Sequence, residues 1–237
     1  RSLNGAAERM FGYDDQAIVG NNVSILMPEP YRTEHDGYID RFNKGLGGNA
    51  IGFPREFQAQ HQDGHLFPIE VTISGVKQGK EQIFIGLIRD LTERQHARQQ
   101  ERLAAKVMET SLESIAITDA KNRIQYVNPA FCEITGYSFA ESLGKNPSFL
   151  SSGRHDGAFY KAMWEGINNE GSWQGEIWDR RKDGTLYLKW LSITAIENSA
   201  GEVTHYVGIA SDITERKQTE ERLKDLAHHD QLTGLPN

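Results

Sequence analysis

The chain has 237 residues, 38% of them hydrophobic and 25% charged, enough for two cores of roughly 100 residues each. A balance of 26 Lys and Arg against 33 Asp and Glu gives a net charge of −7 with no concentrated basic block, so nucleic acid is not an expected partner. A single cysteine, Cys132, excludes an intramolecular disulfide and matches a reducing, cytoplasmic setting, and no apolar run approaches the roughly 20 residues of a bilayer span, so no membrane contact is expected.

In chain order, "NGAAERMFGY" reads as a short helix ending at Gly-Tyr, and residues 29–44 read as a longer one. Three β-like runs follow, of which 65–77 comes directly after an Asp-Gly turn signal. A charged helical connector at 92–109 carries Leu103 and Val107 as an apolar i, i+4 pair. Two short strands, "SIAITD" and "IQYVN", then flank the turn-forming "AKNR". The first pattern now starts again: "NPAFCEITGY", a helix at about 156–169, three β-like runs with 185–197 behind a second Asp-Gly, and a second charged connector at 214–228. Gly12 is answered by Gly136, Gly64 by Gly184 and Gly86 by Gly208, at separations that drift by a few residues. Matched blocks in one order with drifting separations mean two copies of one domain that differ in loop length.

The order strand, strand, short helices, long helix, three strands, closing on "RDLTER" or "SDITER", resembles the PAS sensor domain. The resemblance implies an α+β fold, an antiparallel five-stranded sheet with flanking helices, in each copy. The first copy has no equivalent of "SIAITD" and "IQYVN", so it is expected to be N-terminally truncated. The expected division is PAS 1 at 1–93, a helical connector at 94–109, PAS 2 at 110–213, a second connector at 214–228, and at 229–237 a segment, "HDQLTGLPN", that resembles the start of a GGDEF domain. That last resemblance implies a parent protein that makes or degrades cyclic-di-GMP. The catalytic motif is not in the chain, which is therefore not expected to be an enzyme, and dimerisation through the connector helices is implied by the family.

On a helix His35, Ile39 and Phe42 share a face, with Tyr38 adjacent. A lone histidine on such a face is most often an ordinary half-buried residue. Its setting, "ILMPEPYRTEHDGYIDRF", resembles the haem-binding helix of FixL-type oxygen sensors and of the direct oxygen sensor phosphodiesterase. The resemblance implies haem b with His35 on the iron, Arg41 near a propionate, Tyr38 within the same motif, and O₂ or another diatomic gas as ligand. Arg55 matches the distal arginine of both sensors, and Val71 and Ile73 match the apolar distal wall. A guanidinium cannot shed its charge, so Arg55 needs a gas ligand or a propionate as its partner. Phe53 stands where those sensors carry methionine or isoleucine, and since an aromatic ring cannot ligate iron, a five-coordinate ferrous haem is implied. Asn49 replaces a histidine near the propionates.

The second copy has no histidine at the matching helical position, and "GKNPSFL" places Pro147 where a flavin photoadduct needs cysteine. "LGKNPSFLSSG" and "SWQGEIWDRRKDGTLYLKWLSI" resemble the FAD-binding PAS of the redox sensor NifL, which implies Trp173 as a flavin contact. All four tryptophans, Trp164, Trp173, Trp178 and Trp190, lie in this copy, and core packing accounts for them equally well. Cys132 reads as a core residue. Three readings stay open: a haem gas sensor relaying to a cyclic-di-GMP enzyme, a cofactor-free PAS tandem for dimerisation, and an FAD redox sensor in PAS 2.

Overall fold

The computed structural model describes residues 2–44, 52–78 and 81–228. Asn49 and the GGDEF-like segment at 229–237 therefore lie outside the described residues. The chain divides into two compact units, Arg1–Arg102 and Leu103–Asn237.

In the first unit α1 (Gly5–Phe11) leads through α2 (Asp15–Ile18) and a 3-10 turn, Val23–Leu26, to α3 (Tyr31–Asn43). Pro30 disfavours helical geometry for the residue before it, which holds the start of α3 back from the expected 29 to Tyr31. An antiparallel sheet follows, in the order β1 (Arg55–Gln60), β2 (Leu66–Gln78), β3 (Glu81–Asp90). Register and burial put Ala59, Phe67 and Ile69 on the face that carries the helices, where they pack with Phe11, Ile18 and Leu26. The α1 caps are sequence-encoded: the Asn4 side chain accepts the Ala7 N–H, and Gly12 closes the helix in the left-handed region at φ 74°.

Helix α4 (Thr92–Thr110) leads into the second unit. There β4 (Ser114–Asp119) and β5 (Ile124–Val127) precede α5 (Pro129–Thr135), α6 (Phe139–Ser142), a second 3-10 turn at Pro147–Leu150 and α7 (Gly157–Glu170). Three strands complete the sheet, β6 (Ser172–Arg180), β7 (Leu186–Glu197) and β8 (Val203–Asp212), and α8 (Thr214–His228) leaves it. The strand order is β5-β4-β8-β7-β6, so β4 is the inner neighbour of β8, and β4 and β5 have no counterpart among the described residues of the first unit. The caps repeat with the sequence: Asn128 caps α5, and Gly136 closes it at φ 77°.

Asn128 is 0% exposed and all four of its hydrogen-bonding positions are used. Its Oδ1 accepts the N–H groups of Ile115 and Phe131, and its Nδ2 donates to the carbonyls of Met108 and Glu113. One side chain thus ties the end of α4, the first strand and the first helix of the second unit together. Cys132 is half-buried beside Phe131 and Val127, and burial pushes its thiol up.

Candidate functional site

In the first unit the helix-bearing face of the sheet is read from the pairings. Arg55 stands opposite Val71, Phe57 opposite Ile69, Val71 opposite Ile88 and Ile73 opposite Gly86, and residues directly opposite share a face. Arg55, Val71 and Ile73 therefore line one surface together with Phe57. Among the described residues a Cβ added at Gly86 would meet no atom within 4 Å, which leaves open space above the middle of this surface. At the matching Gly208 of the second unit a Cβ would already touch Leu191.

Helix α3 lies on this side of the sheet, since the Tyr31 ring meets Phe57 edge-on at 6.0 Å. His35 sits one turn beyond Tyr31, on the same helical face. Its side chain is 15% exposed, and its buried Nδ1 has no hydrogen-bond partner among the described residues. Asp36 Oδ1, at 3.6 Å, is too far away to bond it. A buried ring nitrogen left unpaired costs about 1–3 kcal/mol, a cost that a ligand to the imidazole would relieve. An apolar wall with free space, a permanent cation beside it and a half-buried imidazole on the facing helix fit a flat apolar macrocycle with acidic edges.

The other motif residues lie outward. The Tyr38 hydroxyl donates to Glu34 at 2.5 Å, which raises its pKa, and the Arg41 guanidinium stacks 4.8 Å above the Tyr38 ring. Both are exposed, so Glu34, Tyr38 and Arg41 form a strip along the solvent side of α3. Phe53, before β1, is 62% exposed, and Arg55 is exposed at the start of its strand.

The second unit has a cleft of its own, of about 150 Å³, which shares Asn122, Ser148, Tyr160 and Trp164 with a more open groove of about 440 Å³. Inside it Lys189 Nζ lies 2.5 Å from Asp179 Oδ2, both nearly buried. Burial raises the Asp179 pKa, and the nearby ammonium opposes that rise. Thr118, 4% exposed, lines the same cleft, and its buried hydroxyl has no hydrogen-bond partner among the described residues.

Trp173, the flavin contact that the sequence resemblance implies, lies outside that lining. Its indole covers Gly175, where a Cβ would come within 2.7 Å of the ring, and it meets Phe159 of α7 edge-on at 6.0 Å. The ring is consumed by packing, and the tryptophan facing the cleft is Trp164, edge-on to Tyr206 at 5.3 Å. Sequence reading also passed over Asp179 and Lys189. For Lys189 the signal was a lone charge inside an apolar run, "YLKWL", whereas Asp179 stands in the charged stretch "DRRKD" and had none.

Two α+β units, each with a curved antiparallel sheet under helices and an exit helix behind its last strand, define a class of sensory module. The chain belongs to the PAS domain family, whose model matches residues 2–93 and 112–215. It is 38% identical over 119 residues to the nitrogen fixation regulatory protein of Klebsiella oxytoca, covering 50% of this chain and 24% of that one. It is 43% identical over 90 residues to the sensor protein FixL of Bradyrhizobium diazoefficiens, 38% of this chain and 18% of that one. With the oxygen sensor protein DosP of Escherichia coli it shares 25% identity over 226 residues, 91% of this chain and 27% of that one. The chain thus spans about a quarter or less of these relatives' length. Among the described residues no helix is long and apolar enough to cross a membrane.

Proposed function

We propose that the chain is the sensory input region of a bacterial signalling protein, with haem b in the first PAS domain, a diatomic gas such as O₂ as its ligand, and relay through the second PAS domain to a GGDEF output that makes cyclic-di-GMP. The observation that carries this reading is the place of His35, largely buried and one turn beyond Tyr31 on the α3 face that meets Phe57, above a sheet surface of Phe57, Val71 and Ile73 that has room over Gly86 among the described residues. Two relatives named as an oxygen sensor and as FixL support a gas as the signal. When bound, haem would supply the iron that takes up the gas. His35 would hold the group from α3, Val71 and Ile73 would keep water from its face, and Arg55 would offer a fixed cation to the gas or to a propionate. Movement of Arg55 between those partners would act on β1, and through β2 and β3 on α4. In this reading the chain works as a homodimer in the cytoplasm and itself catalyses nothing.

The test is the ferrous absorption spectrum of the haemin-reconstituted chain against a His35→Ala variant, with and without O₂. A Soret band present in the parent and lost in the variant is expected. No band in the parent, or an equal band in both, overturns the assignment. A second reading, FAD in the second domain, draws on the unpartnered Thr118 hydroxyl and on Trp164 at the cleft mouth. A flavin absorption copurifying with the chain and lost in Trp164→Ala would favour it.

A further inference from the structure

The turn between β1 and β2 reads "HQDGH", residues 61–65. The His61 N–H donates to the His65 carbonyl at 2.9 Å, so these two residues face each other across the hairpin. Ala59 stands opposite Phe67 two residues further in, which sets both imidazoles on the helix-bearing side of the sheet, at its end. Gly64, at φ 94°, makes the reversal, and Asp63 sits inside it with Oδ1 accepting the His65 backbone N–H at 3.0 Å.

We propose that His61 Nδ1, Asp63 Oδ1 and His65 Nδ1 form a binding site for a late first-row divalent cation, of which Zn²⁺ is the simplest probe. The three atoms lie within 4.8 Å of one another, with His61 Nδ1 at 3.0 Å and His65 Nδ1 at 2.6 Å from Asp63 Oδ1. Zinc–ligand bonds of about 2.0–2.1 Å in a tetrahedron hold their ligands roughly 3.3 Å apart. The two Nδ1–Oδ1 separations would widen by less than an ångström, and the stacked imidazoles, whose donor lone pairs lie in their ring planes, would turn toward one another to meet a single ion.

Orientation is built in as well. The His61 ring lies against Gly12, where a Cβ would come 2.4 Å from Nε2, so Nε2 is turned to the backbone and Nδ1 to Asp63. The His65 ring stacks on His61 at 4.5 Å and rests on Phe67 at 5.8 Å. Holding the ligands before the metal arrives lowers the entropy cost of binding.

The second domain serves as an internal control. Its equivalent hairpin carries Arg181, Asp183 and Thr185, and Asp183 Oδ1 accepts the Thr185 N–H at 2.9 Å as Asp63 does that of His65. The turn therefore needs its aspartate and neither histidine. Arg181 instead donates to the Ile134 carbonyl and pairs with Asp212, links that an imidazole is too short to copy. Two imidazole nitrogens and one carboxylate oxygen select Zn²⁺, Ni²⁺ or Cu²⁺ over Mg²⁺ and Ca²⁺. With His61 24%, His65 57% and Asp63 63% exposed, water can complete the coordination shell. The site uses none of the haem residues and is tested without haem.

The experiment is a Zn²⁺ competition titration against a chromophoric chelator, on the tag-free chain stripped of metal, beside His65→Thr and Asp63→Asn. Threonine is what the second hairpin carries, and asparagine keeps the turn's acceptor, so both variants retain the fold. Changes merely adjacent to metal ligands cost about 10–100-fold in affinity, so loss of a ligand is expected to weaken one Zn²⁺ equivalent by at least about tenfold. Failure of the parent to bind that equivalent, or unchanged affinity in both variants, overturns the site.

Discussion

Asn128→Ala removes four hydrogen bonds in one step. The N–H groups of Ile115 and Phe131, bonded at 2.8 and 2.9 Å, are left buried with no acceptor, while the Met108 and Glu113 carbonyls lose partners at 3.2 and 2.8 Å in a partly wet region. At about 1 kcal/mol net for each bond, more for the two buried donors and less for the two carbonyls, the loss comes to about 4 kcal/mol. Against a domain stability of about 5–15 kcal/mol this is a large fraction. Urea unfolding followed by tryptophan fluorescence isolates the effect, because Trp164, Trp173, Trp178 and Trp190 all lie in the second unit. With an m-value of about 2 kcal/mol per molar, the midpoint should fall by roughly 2 M. Asn128→Asp keeps both acceptor functions but sets a buried carboxylate oxygen against the Met108 and Glu113 carbonyls, so at neutral pH it should be at least as destabilising as alanine. A loss below about 1 kcal/mol for alanine would refute the account of Asn128 as the fully satisfied joint between α4 and its domain.

Lys189→Met strands the Asp179 carboxylate in the cleft and should cost about 3–5 kcal/mol at neutral pH, as breaking a buried pair does. A carboxyl whose folded pKa is raised is penalised as pH rises through and above its unfolded value, so this loss should shrink on acidification; a loss that does not change with pH counts against burial as its cause. Glu141 behaves oppositely. A hydrogen bond from Lys182, together with the Ser138 cap, lowers its pKa from 4.5 to about 2. Its stabilisation is therefore present above pH 4.5 and lost as pH falls toward about 2. The urea midpoints of the parent and Glu141→Gln should differ at pH 7 and converge on acidification, and a gap that stays constant would contradict the pairing.

Much of the fold was legible because its signals are local. Gly-Tyr at the end of each short helix, Asp-Gly before each long strand and the doubled order of these marks identified two copies and their elements, since helix ends and turns depend on a few neighbouring residues. Periodicity also placed His35 on an inward helix face, because 3.6 residues per turn is a property of the helix alone. Depth, end and partner were not legible. Tyr38 and Arg41 share the motif with His35, yet α3 turns them to solvent, and Trp173 shares a sheet face with the cleft, yet sits over Gly175 beneath α7. The Asp179–Lys189 pair joins two strands, and the "HQDGH" ligands converge only because the hairpin register sets His61 opposite His65. By itself the sequence determined which elements form and how many times the pattern repeats, because backbone sterics and capping act within a few residues. Only the tertiary structure decided which side chains meet, because that depends on strand register and on which end of a sheet a helix covers, both set by contacts distant in the chain.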